Sequence, residues 1–242
     1  MSSTRRTQLE PAWLLHHRPW SDTSRILELL TRGHGRMTVF AHGARRPKSP
    51  WRSVLMPFQP MLVSWSGRGD GGTLTGAEID GAVAAMPPAQ LLSAFYLNEL
   101  LLRLLPKEDR HERLFGAYGD ALADLRARPG PVALREFERV LLDELGYGLD
   151  LGRDAGSGET VEPDRYYHFE PGRGVYAVRE SGAGDALSGH DVIAVARGEF
   201  AGARSQAAAR RIFGAAIAHC LEGRGLASRE VMLALRRQEQ DG

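Results

Sequence analysis

Cysteine is almost missing from this 242-residue chain: Cys220 stands alone, so no internal disulfide can form and no thiolate-rich zinc site can be assembled. Its neighbours Ile217 and Leu221 read as ordinary helix packing. Long apolar runs are missing too. No stretch approaches the roughly 18 residues a bilayer-spanning helix requires, and the opening MSSTRRTQLEPAW has no apolar segment of a secretory signal. A cytoplasmic protein with no membrane partner is expected. Neither a G-x-x-x-x-G-K-[ST] phosphate loop nor a recognisable serine or cysteine nucleophile motif occurs, so nucleotide hydrolysis and acyl transfer have no visible machinery. No catalytic residue and no cofactor is implied.

Acidic residues are missing from one long segment. Between Glu28 and Asp70 there is none, while Arg32, Arg36, Arg45, Arg46, Lys48, Arg52 and Arg68 all fall there. The formal net charge of +1 hides this partition: residues 1–80 carry +5, residues 81–190 carry −6 and residues 191–242 carry +2. A cationic run of this kind attracts polyanions. Its densest part, HGARRPKSPWRSVLMPFQP at 42–60, holds four cations and four prolines around Trp51 and Phe58. Phosphate-seeking charge beside aromatic rings suits single-stranded nucleic acid, although Trp51 and Phe58 individually read as core residues.

The remaining 43% of hydrophobic residues can bury a sizeable core. Short runs with strand character, AWLLHH, SRILELLT, RMTVFAHGA, MLVSWSG and TLTGAEI, are separated by Pro, Gly and Ser clusters, and five strands in about 80 residues predict a small barrel. The OB-fold is the favoured candidate. After MPPAQ at 86–90 the apolar period lengthens toward 3.6, beginning with Leu91, Phe95, Leu97 and Leu101. Helices are predicted from there, at about 108–127, from Pro131 to a stop at Gly146, at about 204–223 and at 228–237. Within the glycine-rich, acidic stretch 147–190, YYHF and GVYAV alternate as a short hairpin would. The fold class is therefore α+β, with residues 1–84 forming the barrel and residues 85–242 a mainly helical domain carrying a hairpin insertion at about 147–190.

Other suggestive strings have plain readings. GRGDGG at 67–72 reads as a glycine-rich hairpin turn. His16 and His17 lie on a strand, where alternation sends one inward and one outward. Glu136, Glu138, Asp143 and Glu144 stand beside arginines at helical spacing and read as a solvated face. Three function classes survive: a nucleic-acid-binding protein, a barrel adaptor that binds proteins only, and a metal-dependent nuclease built from scattered acids.

RPWSDTSRILELLTRGHGRMTVFAHGARR, GRGDGGTLTGAE, FYLNELLLRLL, FERVLLDELGYGLDL and the closing GRGLASREVMLALRR, in this order and spacing, resemble the RecO family of bacterial DNA recombination mediators. The resemblance implies an OB-fold, a helical domain, and a protein that binds single- and double-stranded DNA, anneals complementary strands and helps load RecA onto strands covered by single-strand-binding protein. RecR and the C-terminal tail of single-strand-binding protein are the implied protein partners, and the nucleoid the implied location. Arg36, Arg45, Arg46, Lys48, Arg52 and Arg68 are the expected DNA contacts, with Arg210, Arg211, Arg229, Arg236 and Arg237 as candidates for extending the track. By the same resemblance ALREFERVLLDELGYG carries the tail site, with Arg135 first, Arg139 on the same face and Phe137 in the apolar stripe. Many members hold a four-cysteine zinc site where this chain has LGRDAGSGETVEPDRYYHFEPGRGVY. No metal is expected here, His168 reads as a surface or packing residue, and the hairpin is expected to hold by packing alone.

Overall fold

The computed structural model describes residues 5–68, 71–128, 130–179, 185–228, 230–232 and 234. Five strands come first: β1 (Arg5–Trp20), β2 (Ser24–Thr31), β3 (Gly35–Ala41), β4 (Pro60–Arg68) and β5 (Gly71–Ile79). They close into a barrel in the order β1-β2-β3-β5-β4, with β4 returning to β1 and a parallel pairing of β3 with β5. This is the OB-fold topology that the strand count predicts. β3 shows why: Met37, Val39 and Ala41 point into the barrel and are buried, while Arg36, Thr38 and Phe40 alternate outward. Leu14, Leu27, Leu29, Met61 and Val63 fill the rest of the interior.

β1 pairs with both β2 and β4, and the register shifts between Thr7 and Glu10 and again between Leu14 and His16 let it curl around the barrel. At the other end of the β4–β5 hairpin, Arg68 faces Gly71. GRGDGG therefore closes a hairpin, with Gly69 and Asp70 outside the described residues. Gly72 is needed there, because a Cβ would lie 2.5 Å from Cδ1 of Trp65.

Two helices follow, α1 (Leu91–Leu104) and α2 (Glu112–Ala127), and both pack on the outside of the barrel. They explain why AWLL does not alternate: Ala12 and Leu14 fill the interior while Trp13 and Leu15 are buried on the outer face. Trp13 meets Tyr118 edge-on at 5.5 Å, Asn98 Nδ2 donates to the Leu15 carbonyl at 2.8 Å, and the Tyr118 hydroxyl donates to Asn98 Oδ1 at 2.6 Å. Complete burial pushes the Tyr118 phenol far above its ordinary pKa, so it remains a donor. The change of period near residue 85 separates strands from helices in sequence. In space the first compact unit is residues 1–128 together with 226–242, and the second is residues 129–225. Residues 227, 228, 230–232 and 234 are helical, and the rest of the expected 228–237 helix lies outside the described residues.

The second unit contains α3 (Val132–Glu144), β6 (Tyr166–Glu170), β7 (Gly174–Val178), β8 (Leu187–Ser188), α4 (Gly189–Arg197) and α5 (Ala203–Cys220). α3 ends as the sequence predicts, with Gly146 at φ 79° and the Tyr147 N–H returning to the Leu142 carbonyl at 2.9 Å. β6 and β7 form the expected hairpin, and β8 adds a third strand beside β6. α4 is an addition to the predicted elements. Its signals are local: Ser188 Oγ accepts from the Asp191 N–H at its start, and Gly198 takes φ 75° at its end. Cys220 is half-buried at the end of α5, and burial pushes its thiol above the ordinary range.

One expectation about the hairpin is corrected. It does not hold by packing alone: Asp154 Oδ2 accepts from the Ala177 N–H at 2.8 Å, and Oδ1 from the N–H groups of Gly156 at 2.7 Å and Ser157 at 3.1 Å. One carboxylate thereby pins the 154–159 turn to β7.

Candidate nucleic-acid interface

The residues joining β3 to β4 form a stopper for one end of the barrel. Ala44 and Leu55 are buried in the barrel core, and Trp51 and Val54 pack against it. Gly43 at φ 72° turns the chain, the Arg46 N–H donates to the Gly43 carbonyl at 3.1 Å, and Ser49 Oγ accepts from the Trp51 N–H at 3.3 Å to start a single 3-10 turn over Pro50–Arg52. With the apolar positions held inward, Arg45, Arg46, Lys48 and Arg52 are all exposed. The segment contains no acid to neutralise them. Phe58 is buried, meeting Phe95 edge-on at 5.0 Å, so the two rings of this stretch serve the core.

Arg45 ties the stopper to the β1–β2 turn. Its backbone N–H donates to the Thr23 carbonyl at 2.8 Å and its guanidinium to the Ser21 carbonyl at 3.1 Å. The turn adds residues outside the acid-free segment: Arg18 and Trp20 are exposed, and the Trp20 indole meets the Phe40 ring at 5.8 Å. The available signal is Arg-Pro-Trp running into a turn, beside an outward position of β3. His17 faces the barrel interior opposite Leu27, and burial together with Arg25 and His16 pushes its pKa down, so it adds no charge at neutral pH.

Arg36 stands apart from these cations. It donates to the Leu102 carbonyl of α1 at 2.9 Å and lies 3.9 Å from Glu28 Oε2, with only 16% of its side chain exposed. The backbone of Arg68 ends β4, but its side chain lies outside the described residues. Arg210 is exposed, Arg211 donates to the Asp185 carbonyl at 2.5 Å, and Arg229, Arg236 and Arg237 lie outside the described residues.

On α3, the expected partner residues separate. Phe137 is buried in the core, and Arg135 is buried with its guanidinium 2.8 Å from Glu138 Oε2. The pair Glu138 and Arg135 thus belongs to the interior, which corrects the reading of Glu138 as part of a solvated face. Arg139 remains half-exposed, 4.0 Å from Asp143 Oδ2, and both line a cavity of about 90 Å³ with Leu142, Leu149, Leu151, Val195 and Phe213. His168 is exposed on β6. Among the described residues, no group of three or more His, Cys, Asp or Glu side chains is placed to hold a metal ion, and no helix is long and apolar enough to cross a membrane.

Two family models match this chain: Recombination protein O N terminal over residues 6–82, and Recombination protein O C terminal over residues 88–230. The chain belongs to the RecO family. Similar full-length relatives carry the name DNA repair protein RecO. That of Azoarcus sp. strain BH72 is 42% identical over 242 residues, covering 97% of this chain and 99% of the relative. That of Alkalilimnicola ehrlichii is 44% identical over 235 residues, covering 96% and 93%, and that of Methylococcus capsulatus is 43% identical over 227 residues, covering 93% of each. The N-terminal RecO match runs from the second residue of β1 through the end of β5, and the C-terminal RecO match begins at the 3-10 turn Pro88–Gln90 that leads into α1.

Proposed function

We propose that this RecO-family protein is a DNA-binding mediator of recombinational repair without catalytic activity of its own, acting in the cytoplasm at the nucleoid. Residues 1–84 form its DNA-binding domain, engaging single- and double-stranded DNA. Residues 85–242 form its partner-binding domain. It anneals complementary strands and assists RecA loading on strands coated by single-strand-binding protein, in company with RecR. The observation that carries the DNA-binding part is the barrel stopper, which holds its apolar residues inward and leaves Arg45, Arg46, Lys48 and Arg52 exposed with no carboxylate in the segment.

Contacts of this kind are made to phosphates, so affinity comes from counterion release and depends little on base identity. Arg36, committed to the Leu102 carbonyl, is the weakest of the expected contacts. Replacing Arg45, Arg46 and Lys48 together by Ala is expected to weaken oligonucleotide binding about equally for all sequences and to flatten the log–log salt slope by about 0.7 per lost single-strand phosphate contact. Fluorescence anisotropy across a salt series measures both. An affinity and slope equal to those of the parent would refute the assignment, and a parent that binds no bare oligonucleotide would favour a barrel that binds proteins only.

The tail of single-strand-binding protein, acidic and ending in an apolar side chain with a free carboxylate, needs a cation beside an apolar cavity. Arg139, half-exposed at the cavity although 4.0 Å from Asp143 on the same helix, meets that description better than Arg135, which is buried against Glu138. A bidentate guanidinium–carboxylate contact at the cavity mouth would fix the end of the tail while its apolar side chain enters.

A further inference from the structure

The Trp20–Phe40 surface has no place in a purely phosphate-binding account. A single exposed tryptophan is ordinary, so its company decides what it means. The strand register places Arg18, Ile26, Phe40 and Thr73 in one row across β1, β2, β3 and β5, on the outer face of the barrel. Trp20 is two residues beyond Arg18 and therefore on the same face. Its indole is 51% exposed and stands at 69° to the Phe40 ring, with centroids 5.8 Å apart. On β5 Thr73 stands opposite Phe40 and Gly71 opposite Thr38, and a Cβ at Gly71 would lie 3.5 Å from the Phe40 ring, so no side chain from that position crowds it.

Cations border this aromatic pair. Arg18 is exposed in the same row, and Arg45 is held at the β1–β2 turn through the Ser21 and Thr23 carbonyls, immediately beyond Trp20. Arg46 and Lys48 follow on the stopper, also exposed. Between Glu10 and Glu28 the only acid is Asp22, in the turn itself. Aromatic faces beside a line of cations are what an unpaired nucleotide strand requires: phosphates follow the charges, and a base freed from its own stack lies on a ring. A duplex keeps its bases stacked inside and has none to offer.

We infer that Trp20, backed by Phe40, is a base-stacking platform on the outer β1–β2–β3 face that makes the barrel prefer single-stranded over duplex nucleic acid. The inference rests on the DNA-binding reading, and it adds a specificity that the exposed cations do not supply, since phosphates are common to both forms. Ring contact takes any base, so it favours strandedness over sequence.

The test uses the full chain with Trp20→Ala and Trp20→Phe, a labelled oligothymidine and a duplex of equal length. Trp20→Ala is expected to weaken oligothymidine binding by about five- to 150-fold, the equivalent of the roughly 1–3 kcal/mol that stacking of one base contributes. Duplex affinity should stay within about twofold and the salt slope unchanged, because no phosphate contact is removed. Trp20→Phe should retain most of the single-strand affinity. Oligothymidine should quench the tryptophan emission of the parent, and that quenching should be lost in Trp20→Phe, the other three tryptophans being buried or half-buried. If Trp20→Ala binds oligothymidine like the parent while the Arg45, Arg46 and Lys48 triple variant binds poorly, the platform is wrong and the DNA-binding reading stands. Equal losses on single strand and duplex would also overturn the platform. If the parent binds neither nucleic acid, both fall.

Discussion

Glu99 shows how much one carboxylate can organise. From α1 it accepts the Ala227 N–H at 2.8 Å, the Ser228 N–H at 2.9 Å and the Ser228 hydroxyl at 2.6 Å, satisfying donors at the start of the C-terminal helical segment of the same unit. Burial pushes its pKa up, but these donors outweigh burial and, with Arg103, leave it below the ordinary carboxylate value. A depressed folded-state pKa contributes stability that is present above the unfolded-state value and lost as pH falls through the folded-state value. Glu99→Gln is therefore expected to cost about 1–2 kcal/mol at neutral pH, and less as the medium is acidified below the usual glutamate range. Denaturant midpoints at several pH values, with amide exchange at Ala227 and Ser228, measure it; a pH-independent difference would show that the charge is immaterial. At this scale sequence and structure part company over arginine. Arg36 and Arg45 sit in the same acid-free segment, yet α1 draws one into the Leu102 carbonyl and leaves the other exposed.

Among the elements, the β6–β7 hairpin is the one whose support differs from the sequence expectation. Alternation in YYHF and GVYAV is enough to place the strands, since Tyr167, Phe169 and Val175 are buried on one side. The carboxylate beneath them is invisible to periodicity, because Asp154 meets Ala177 from 23 residues away. The Ala177 N–H, together with those of Gly156 and Ser157 and the charge of Arg165, holds Asp154 below the usual carboxylate range despite some burial. By the same sign rule, its contribution is present at neutral pH and disappears as pH falls through the depressed value. Asp154→Asn keeps the shape but offers one acceptor oxygen where two are used, so a loss of about 1–2 kcal/mol is expected at pH 7, shrinking in acid. Urea unfolding followed at pH 7 and pH 3 checks this. A variant as stable as the parent at pH 7 would return the hairpin to packing alone. α4 is hard to see in the sequence for a different reason: nine residues give few apolar repeats, and only its Ser188 and Gly198 ends mark it.

At the scale of the whole molecule, the charge partition along the chain predicts separable activities. The first 80 residues carry +5 and residues 81–190 carry −6. Arg139→Ala is expected to weaken binding of a labelled tail peptide of single-strand-binding protein at least about tenfold, the equivalent of a charged hydrogen-bond contact of about 1.5–3 kcal/mol, while oligonucleotide affinity stays near that of the parent. The triple substitution of Arg45, Arg46 and Lys48 should do the reverse. Fluorescence titrations of both variants with both ligands decide it, and an Arg139→Ala protein that binds peptide like the parent would remove the tail site from this cavity.

The sequence by itself determined the barrel, helices α1, α2, α3 and α5, the hairpin and the cationic segment, because alternation, the 3.6-residue period, glycine stops and an absence of acids are properties of neighbouring residues. Only the tertiary structure decided which cations are available and which rings are exposed. Packing turned Trp51 against the barrel core and Phe58 against Phe95 of α1 and left Trp20 half in solvent beside Phe40, and α3 folded Arg135 against Glu138 while leaving Arg139 at a cavity. The physical reason is that exposure depends on what packs over a residue from elsewhere in the chain: Leu102 covers Arg36 across 66 positions, a separation no local pattern records.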